Sequence, residues 1–477
     1  MTEPIHSKAI TQKMSTVNNA ISAEDKPAKD NIFQVIIASS VGTLIEWYDM
    51  FLAIILASVL STQLFPNDGS SHFLETLAVV VSSFMFRPIG SLIFGSIGDR
   101  IGRKYSFLVS LIMMGAATFM IGCIPTYEDV GWFAPILLLV CRIMQGLAIS
   151  GEYAGAVIYV AEHAPAKKRG FYTGFIQATV PIGLLLCLSV VFLTKSFLSE
   201  EAFNSFGWRI PFLFSGFLVI LSYFIRQRLH ESPVFEQLKK EGKTSKSPVK
   251  EAFTTPGNVK LMLKAIFGGN AAQSTIMQTT LFVTLFFLQR AVNLPYETVL
   301  IVVLCSTLFS SFFYQWFGAL SDKIGRKPVM LGGMIASFIL IPLSFYLYMK
   351  IGNPTGLTEV HSISNLAVIG IIAVSLITSI AGAATYGPLG AFMLEIFPTK
   401  IRYTSMGFAQ NMGNGFIGGA TTFITELIKM TLIVSAAMSP YVGLAYPLVL
   451  IFIAILVNYF TIPETYKNDL TEDEKNN

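Results

Sequence analysis

Residues 95–104 read GSIGDRIGRK, and residues 318–327 repeat the pattern as GALSDKIGRK. Each copy separates two long apolar runs, and the copies lie 223 residues apart. The identical positions pair Gly95, Asp99, Ile101, Gly102, Arg103 and Lys104 with Gly318, Asp322, Ile324, Gly325, Arg326 and Lys327. An internal repeat of this kind indicates that the chain consists of two homologous halves.

A second set of matches is separated by 233 residues. It pairs Tyr153, Glu162, Arg169 and Gln177 with Tyr386, Glu395, Arg402 and Gln410, and Glu231-Ser232 with Glu464-Thr465. The difference of ten between the two spacings is that of an ordinary loop insertion. Parallel repeats in a membrane protein are typical of transporters that bind their substrate between the halves, near the middle of the bilayer.

The composition excludes a soluble protein. Only 13% of the 477 residues are charged, against roughly 25% in soluble domains. Hydrophobic residues make up 53% of the chain, and the mean hydropathy is +0.61. A disordered chain needs far more charge, and no basic face with interleaved aromatic residues suggests nucleic-acid binding. Most of the protein must therefore face lipid.

A spanning helix needs about 20 mainly apolar residues, and the chain has twelve such runs. They are too long and too evenly apolar for the strands of a membrane barrel. The runs cover residues 33–63, 74–97, 105–125, 132–162, 170–195, 208–228, 259–289, 296–319, 328–350, 364–394, 402–430 and 441–462. We predict an all-α membrane protein with twelve transmembrane helices in two six-helix bundles.

Lys and Arg residues between the runs predict the orientation, because they are enriched in cytoplasmic loops. The even-numbered connections carry 19 of them, with Arg226 included, and the odd-numbered connections carry four. Both termini are therefore predicted to be cytoplasmic. The predicted order is an N-terminal tail at 1–30, a bundle at 31–228, a cytoplasmic linker at 229–257, a second bundle at 258–463 and a C-terminal tail at 464–477. Within the linker, Val234, Phe235 and Leu238 share one side of a short helical pattern, which favours either a helix on the membrane surface or a flexible linker.

Other classes of function find little support. The four cysteines lie inside apolar runs without a CxxC pair, and the five histidines show no metal-ligand spacing. There is no nucleotide-binding loop, and the longest segment outside the runs has only about 30 residues. We expect no enzymatic activity, cofactor or metal, and a monomer whose partners are a small-molecule substrate, protons and lipid, without nucleic acid.

Ionisable residues at membrane depth are costly and are by default functional candidates. The chain places five there, namely Glu46, Asp49, Arg87, Arg142 and Glu152. Glu46 and Asp49 share one face of the first helix. Two carboxylates that lie so close in a dry site do not both ionise, so one of them keeps a proton more readily. A proton carrier needs such a group. Alternatively, one or both lie near the wet end and serve helix packing.

The basic residues leave two interpretations open. Arg142 and Glu152 are ten residues apart on the fourth helix, about 15 Å along its axis, so each needs a partner elsewhere. Arg142 either binds a substrate carboxylate or pairs permanently with Glu46 or Asp49. Arg87 either takes part in coupling or forms a buried salt bridge.

Neutral polar residues on several helices are candidates for a substrate cavity, although each alone fits an interhelical hydrogen bond equally well. The candidates are Tyr48, Gln145, Tyr153, Gln177, Asn270, Gln273, Gln278, Tyr386, Gln410, Asn411 and Asn414.

The duplicated stretch also has a mechanical interpretation, as a cytoplasmic gate. Asp99 can accept hydrogen bonds from a neighbouring helix N-terminus, and Arg100 and Arg103 can pair with acids such as Glu162. Positive charge that only fixes the topology is a compatible alternative. The predicted gate comprises Gly95, Asp99, Arg100, Gly102, Arg103, Lys104, Glu162, Arg169, Gly318, Asp322, Gly325, Arg326, Lys327, Glu395 and Arg402.

The duplicated stretch resembles the signature of the major facilitator superfamily, and Arg142-Ile143-Met144-Gln145-Gly146 resembles its fourth-helix pattern. Other motifs resemble the metabolite:proton symporters within it. They are Glu46-Trp47-Tyr48-Asp49, Phe86-Arg87-Pro88-Ile89-Gly90, Gly151-Glu152-Tyr153, Gly207-Trp208-Arg209-Ile210-Pro211-Phe212 and Glu231-Ser232-Pro233. Ser150 stands where that family usually has a glycine. The resemblance covers about residues 33–465 and implies proton-coupled transport of proline and betaines, α-ketoglutarate, citrate, or shikimate and related acids.

We therefore predict a secondary active transporter of the bacterial inner membrane. It would import a small carboxylate or zwitterionic metabolite by proton symport with alternating access. The alternative is a sugar porter or a drug or metabolite exporter of the same superfamily, which the amides Asn270, Gln273 and Gln278 on the seventh helix would suit.

Overall fold

The computed structural model describes residues 32–66, 72–227, 231–431 and 438–468. These residues form twelve long helical segments and, within the described ranges, no strand. The segments are α1 (Ile32–Ile55), α2 (His72–Arg100), α3 (Arg103–Cys123), α4 (Phe133–His163), α5 (Ala166–Phe197), α6 (Arg209–Gln227), α7 (Asn258–Arg290), α8 (Tyr296–Ile324), α9 (Arg326–Gly352), α10 (Asn365–Ile396), α11 (402–431) and α12 (Val442–Thr461). The predicted tail at 1–30 and residues 469–477 of the predicted C-terminal tail lie outside the described residues.

Ten of the twelve segments are long and apolar enough to cross a membrane. The other two are α2, which ends on a charged turn, and α11, which is not a continuous α-helix. α11 consists of Arg402–Gln410, a wide π-helical stretch at Asn411–Gly418, and Thr421–Thr431. Stretches of this type are frequent at functional sites. The predicted twelve-helix membrane fold is confirmed.

The duplicated stretch is less of a loop than the sequence predicts. The apolar runs stop at 97 and resume at 105, but α2 extends to Arg100 and α3 begins at Arg103. So short a turn is possible because Gly102 has a φ of 145° and its repeat mate Gly325 has a φ of 108°. Glycine adopts such angles without the steric cost of a side chain. The charged residues of the stretch are consequently held on helix ends.

The two halves meet along two related pairs of helices. α2 packs on α11, and its repeat mate α8 packs on α5, the repeat mate of α11. α1 and α7 also approach each other, because the rings of Phe51 and Phe282 lie 6.1 Å apart. Both duplicated stretches are thereby brought to the same end of the molecule, against the opposite half.

The linker between the halves contains two short helices, Pro233–Lys240 and Pro248–Thr254. Phe235 is buried, with its ring 5.9 Å from the guanidinium of Arg103. This part of the predicted apolar side therefore packs on the protein. The second helix is tied to the C-terminal half, because Lys400 lies 2.9 Å from Glu251.

Candidate functional site

The first duplicated stretch binds the start of α11. The Asp99 carboxylate accepts hydrogen bonds from the backbone N–H of Tyr403 at 3.2 Å and of Thr404 at 2.9 Å, and from the Thr404 hydroxyl at 2.8 Å. The first N–H groups of a helix have no partner within the helix and carry the positive end of its dipole. A buried carboxylate of one half thus satisfies helix-end donors of the other half.

The second duplicated stretch makes the reciprocal contact. Asp322 accepts hydrogen bonds from the backbone N–H groups of Gly170 and Phe171, both at 2.9 Å, where α5 starts its α-helical part. Its carboxylate also lies 2.7 Å from the guanidinium of Arg326. The two halves are therefore fastened at this end by two carboxylate-to-helix contacts related by the repeat.

Buried ion pairs support both contacts. Arg103 pairs with Glu162, and its repeat mate Arg326 pairs with Glu395 at 2.9 Å. Arg402 of the C-terminal half lies 3.6 Å from Glu162 of the N-terminal half, so this pair also crosses the interface. The remaining two predicted gate arginines differ from these. Arg169 donates to the backbone carbonyl of Asn468 at 3.1 Å, whereas Arg100 is exposed.

Two glutamates that the repeat matches, but that are not among the predicted gate residues, bind the helix starts that follow the duplicated stretches. Glu231 accepts from the backbone N–H of Arg103 at 3.1 Å, and Glu464 accepts from that of Arg326 at 2.7 Å. They occupy equivalent places at the N-termini of α3 and α9. Burial raises the pKa of Glu231, which lies outside the membrane-spanning segments, against the opposing effect of these hydrogen bonds. The signal for including Glu231 and Glu464 in the gate is their spacing of 233 residues, which is also the spacing of the gate residues Glu162 and Glu395.

The lysines of the stretch act in the same symmetric way. The Lys104 ammonium donates to the carbonyl of Gln227 at 3.0 Å, and the Lys327 ammonium donates to that of Tyr459 at 2.8 Å. Each lysine therefore ties the start of its helix to the last helix of its own half. The hydroxyls of Ser232 and Thr465 bind Glu162 and Glu395, respectively.

Three carboxylates gather inside the N-terminal bundle. Glu46, Asp49 and Glu152 line one small cavity between α1, α3 and α4. One oxygen of Asp49 accepts from the Ser215 hydroxyl at 2.6 Å, and the other oxygen is buried without a hydrogen-bond partner. One oxygen of Glu46 is likewise buried without a partner. These are the properties of groups that can exchange a proton.

Glu152 pairs with Arg226, which the sequence predicts to lie in an inner loop. Arg226 binds both carboxylate oxygens of Glu152, and its guanidinium lies 3.6 Å from the ring centre of Phe107. Arg226 was counted with the inner loop, because it follows an apolar run. It is instead fully buried in α6, where Glu152 and the aromatic ring compensate its charge.

Arg142 lies within the N-terminal bundle. It donates to Gln145 at 2.7 Å and to Ser83 at 3.0 Å, and Gln145 in turn donates to Thr118 at 2.7 Å. Both Arg142 and Gln145 are therefore held by contacts among α2, α3 and α4. Among the described residues, neither acid of α1 forms an ion pair with Arg142.

Arg87 lies where the two halves meet. Its guanidinium is 4.4 Å from the ring centre of Phe84 and donates to the sulfur of Met50 at 3.0 Å, while its Nε is buried without a partner. Its Cδ would lie only 2.8 Å from a Cβ on Gly415, in the wide stretch of α11. Within the described part of the chain, no carboxylate lies at ion-pair distance from Arg87, so the salt bridge considered for it is not formed.

Repeat mates meet between the halves. The rings of Tyr153 and Tyr386 stack at 6.5 Å, and Gln177 donates to the Tyr153 hydroxyl at 2.7 Å. Tyr386 also contacts Tyr314, with ring centres 5.6 Å apart. A cavity on the α7 side is lined by Tyr314, Tyr386 and Gln273. An aromatic and amide surface thus lies on the approximate two-fold axis.

The other polar candidates differ in position. Asn411 donates to the Ser150 carbonyl at 3.1 Å across the interface. Asn414 donates to Gln273 at 3.0 Å within the C-terminal half. Two of the rest donate to a backbone carbonyl of their own half, Tyr48 to Pro211 and Asn270 to Ala265. The amide oxygens of Asn270, Gln278 and Gln410 are buried without a hydrogen-bond partner.

Comparisons with known proteins agree with this architecture. Residues 39–422 match the Major Facilitator Superfamily. The inner membrane metabolite transport protein YhjE of Escherichia coli K12 is 33% identical over 80% of this chain and 84% of its own length. The proline/betaine transporter of the same organism is 30% identical over 92% of this chain and 84% of its own length.

Among solved structures, the proton:xylose symporter XylE superposes with a TM-score of 0.69. The match covers 92% of this chain and 97% of XylE, at 19% sequence identity, which shows the fold alone. The family match covers most of the chain and agrees with the twelve-helix fold and its repeat. The chain therefore belongs to the major facilitator superfamily of membrane transporters.

Proposed function

We propose that this transporter imports a small carboxylate or zwitterionic metabolite together with protons. The observation that carries the proposal is the pair of α1 acids. Glu46 and Asp49 are both buried, and each has an oxygen without a hydrogen-bond partner. Ionised carboxylates are costly at membrane depth, so acids of this kind favour binding a proton at some stage of the transport cycle.

The fastened end supports alternating access. Opening it requires both carboxylate-to-helix contacts, Asp99 with α11 and Asp322 with α5, to break together. Because the contacts are related by the repeat, rocking one half against the other would break or form them as a unit. The excess of Lys and Arg in the even-numbered connections supports a cytoplasmic position for this end and for both termini.

The relatives support the substrate class. The family match, together with relatives named as metabolite transport proteins, makes the chain a transporter of metabolites. Two relatives are a proline/betaine transporter and a glycine betaine/proline/ectoine/pipecolic acid transporter, 30% and 29% identical to this chain, respectively. All four of the solutes named for the second are amphoteric or zwitterionic carboxylates. Similar chemistry in this chain would suit the buried guanidinium at the interface.

Uptake into liposomes tests the proposal. Purified protein is reconstituted, an inward proton gradient is imposed, and accumulation of radiolabelled L-proline, glycine betaine, 2-oxoglutarate, citrate, shikimate and D-xylose is measured. We expect accumulation of at least one carboxylate probe and its loss when a protonophore is added. Accumulation that survives the protonophore contradicts proton coupling, and accumulation of D-xylose alone favours the sugar porter.

Asp49→Asn separates coupling from binding. We expect this variant to lose proton-driven accumulation but to keep exchange of labelled for unlabelled substrate, since exchange needs no net proton movement. Glu297→Gln, which alters an exposed acid at the start of α8, is the matched control and should accumulate as the wild type does. If Asp49→Asn accumulates normally, Asp49 is not the carrier.

A further inference from the structure

Arg87 is a buried cation without a described anionic partner. It is 6% exposed, its Nε has no hydrogen-bond partner, and its nearest polar contact is the sulfur of Met50. A sulfur atom and an aromatic ring compensate a guanidinium far less than a carboxylate does. An unpaired buried charge is costly, so this position is poised to receive an anion.

The surroundings of Arg87 connect it to the cavity between the halves. Gly415 leaves the space into which the Arg87 side chain extends. The preceding residue, Asn414, holds Gln273, which lines the cavity together with Tyr386. On its other side, Arg87 donates to the sulfur of Met50, which lies one helical turn after Glu46 on α1. Arg87 therefore lies between α1, which carries Glu46, and the stretch of α11 that contacts the cavity residue Gln273.

Two other buried arginines away from the gate, Arg226 and Arg142, are already bound within the N-terminal bundle. Arg226 is occupied by both oxygens of Glu152. Arg142 is held by Gln145 and Ser83.

We propose that Arg87 binds the carboxylate of the transported metabolite, and that Glu46 is the alternative counter-ion, so that Glu46 must take up a proton before the metabolite binds. The inference rests on the proposed function. It assigns the substrate carboxylate to Arg87 and the proton that controls its binding to Glu46, in addition to the proton that Asp49 is proposed to carry. The charge balance is simple. With Glu46 ionised, it neutralises Arg87, and with Glu46 protonated, the metabolite carboxylate neutralises Arg87. One proton, held by Glu46, and one carboxylate group therefore enter this site together, and Arg87 keeps one carboxylate counter-ion throughout.

The charged and titratable groups that act on Glu46 come from α1, α2, α4, α6 and α10. They are Asp49, Arg87, Tyr153, Glu152, Arg226 and Tyr386. Arg226 already has a carboxylate partner, and one oxygen of Asp49 is held by Ser215. This leaves Arg87 as the cation that Glu46 and a substrate can share.

The test uses full-length protein in liposomes, with radiolabelled glycine betaine, L-proline and 2-oxoglutarate as carboxylate probes and D-xylose as the probe without a carboxylate. For a transported carboxylate probe, Arg87→Gln should raise KM by about 10- to 100-fold, the effect of losing hydrogen bonds to a charged group. The KM of Arg87→Lys should lie between those of the wild type and Arg87→Gln, because lysine keeps the charge but not the bidentate geometry. Arg290→Gln, at an exposed arginine of α7, is the control and should leave KM unchanged.

Glu46→Gln gives a readout that a structural role would not move. Binding of the same probe should lose its dependence on pH in this variant, while the affinity stays near that of the wild type at acid pH. Gel filtration of each purified variant checks folding, and Arg87→Lys serves where Arg87→Gln does not fold.

The outcomes separate the two claims. If the wild type accumulates no carboxylate probe, the proposed function fails and this inference fails with it. If the wild type accumulates one, but the Arg87 variants keep its KM or Glu46→Gln keeps the pH dependence, only the inference is overturned.

Discussion

Replacing Asp99 by asparagine should weaken the contact that holds α11 against α2. The carboxylate accepts three hydrogen bonds from the first turn of α11, two from Thr404 and one from Tyr403. Asparagine has nearly the same shape but only one acceptor oxygen, and it carries no charge to interact with the helix dipole. At least one of the three bonds is therefore lost, and the others become bonds between neutral groups.

The size of the effect follows from these bonds. Hydrogen bonds to charged groups contribute about 1.5–3 kcal/mol, and those between neutral groups about 0.5–1.5 kcal/mol. Losing one charged bond and weakening the others gives a net loss of roughly 2–4 kcal/mol. Since every 1.4 kcal/mol is a factor of ten, the ratio of closed to open forms at this end should fall by roughly 30- to 700-fold.

Distances between spin labels measure that ratio. Labels on Lys167→Cys and Lys323→Cys, in a background without the four native cysteines, report across the contact between α5 and α8. Both positions are exposed. We expect the short distance to dominate in the wild type and a longer one to gain population in Asp99→Asn. Arg100→Gln, at the exposed neighbouring residue, is the control. An unchanged distribution in Asp99→Asn, or an equal shift in the control, would refute the gate.

Three further predictions concern other parts of the site. Glu152→Gln should lower the melting temperature of the purified protein, because breaking a buried pair costs about 3–5 kcal/mol, and Arg226→Met in the same chain should recover part of the loss; no recovery would show that the two residues do not act as a pair. Tyr153→Phe should raise KM for the transported probe by about 3- to 10-fold through the lost hydrogen bond from Gln177, with an unchanged KM counting against a role in the cavity. Gly102→Ala should destabilise the turn between α2 and α3 by roughly 1–3 kcal/mol, because Gly102 has φ 145° and ψ 151°, a region that essentially only glycine adopts; a melting temperature equal to that of the wild type would contradict this.

The repeat explains why so much of the gate could be predicted from the sequence. Asp99 and Asp322 occupy matched positions, so one interpretation served both. The sequence did not show which helices meet, however, and the partners Tyr403 and Gly170 emerge only from the packing of α2 on α11 and α8 on α5. Glu231 was matched to its mate but left outside the gate, because its ligands are backbone N–H groups, which sequence patterns do not display.

The charges inside the bundle were harder to assign for a different reason. Helical spacing shows which residues share a face but not whether that face meets its own bundle or the opposite half. The sequence therefore leaves Arg142 and Arg87 open alike, although Arg142 is held within its bundle and Arg87 lies at the interface. Arg226 was treated as a loop residue because an arginine at the end of an apolar run is usually interfacial. Only the structure shows that Arg226 is buried, where it pairs with Glu152.

Proton entry on addition of substrate tests the central claim most directly. Liposomes containing the protein and a trapped pH-sensitive dye start with equal pH on both sides, and a transported carboxylate or zwitterion is added outside. Proton symport predicts that the interior acidifies as the substrate enters, and that Asp49→Asn abolishes the acidification. Entry of the substrate into wild-type vesicles without any acidification would contradict the account.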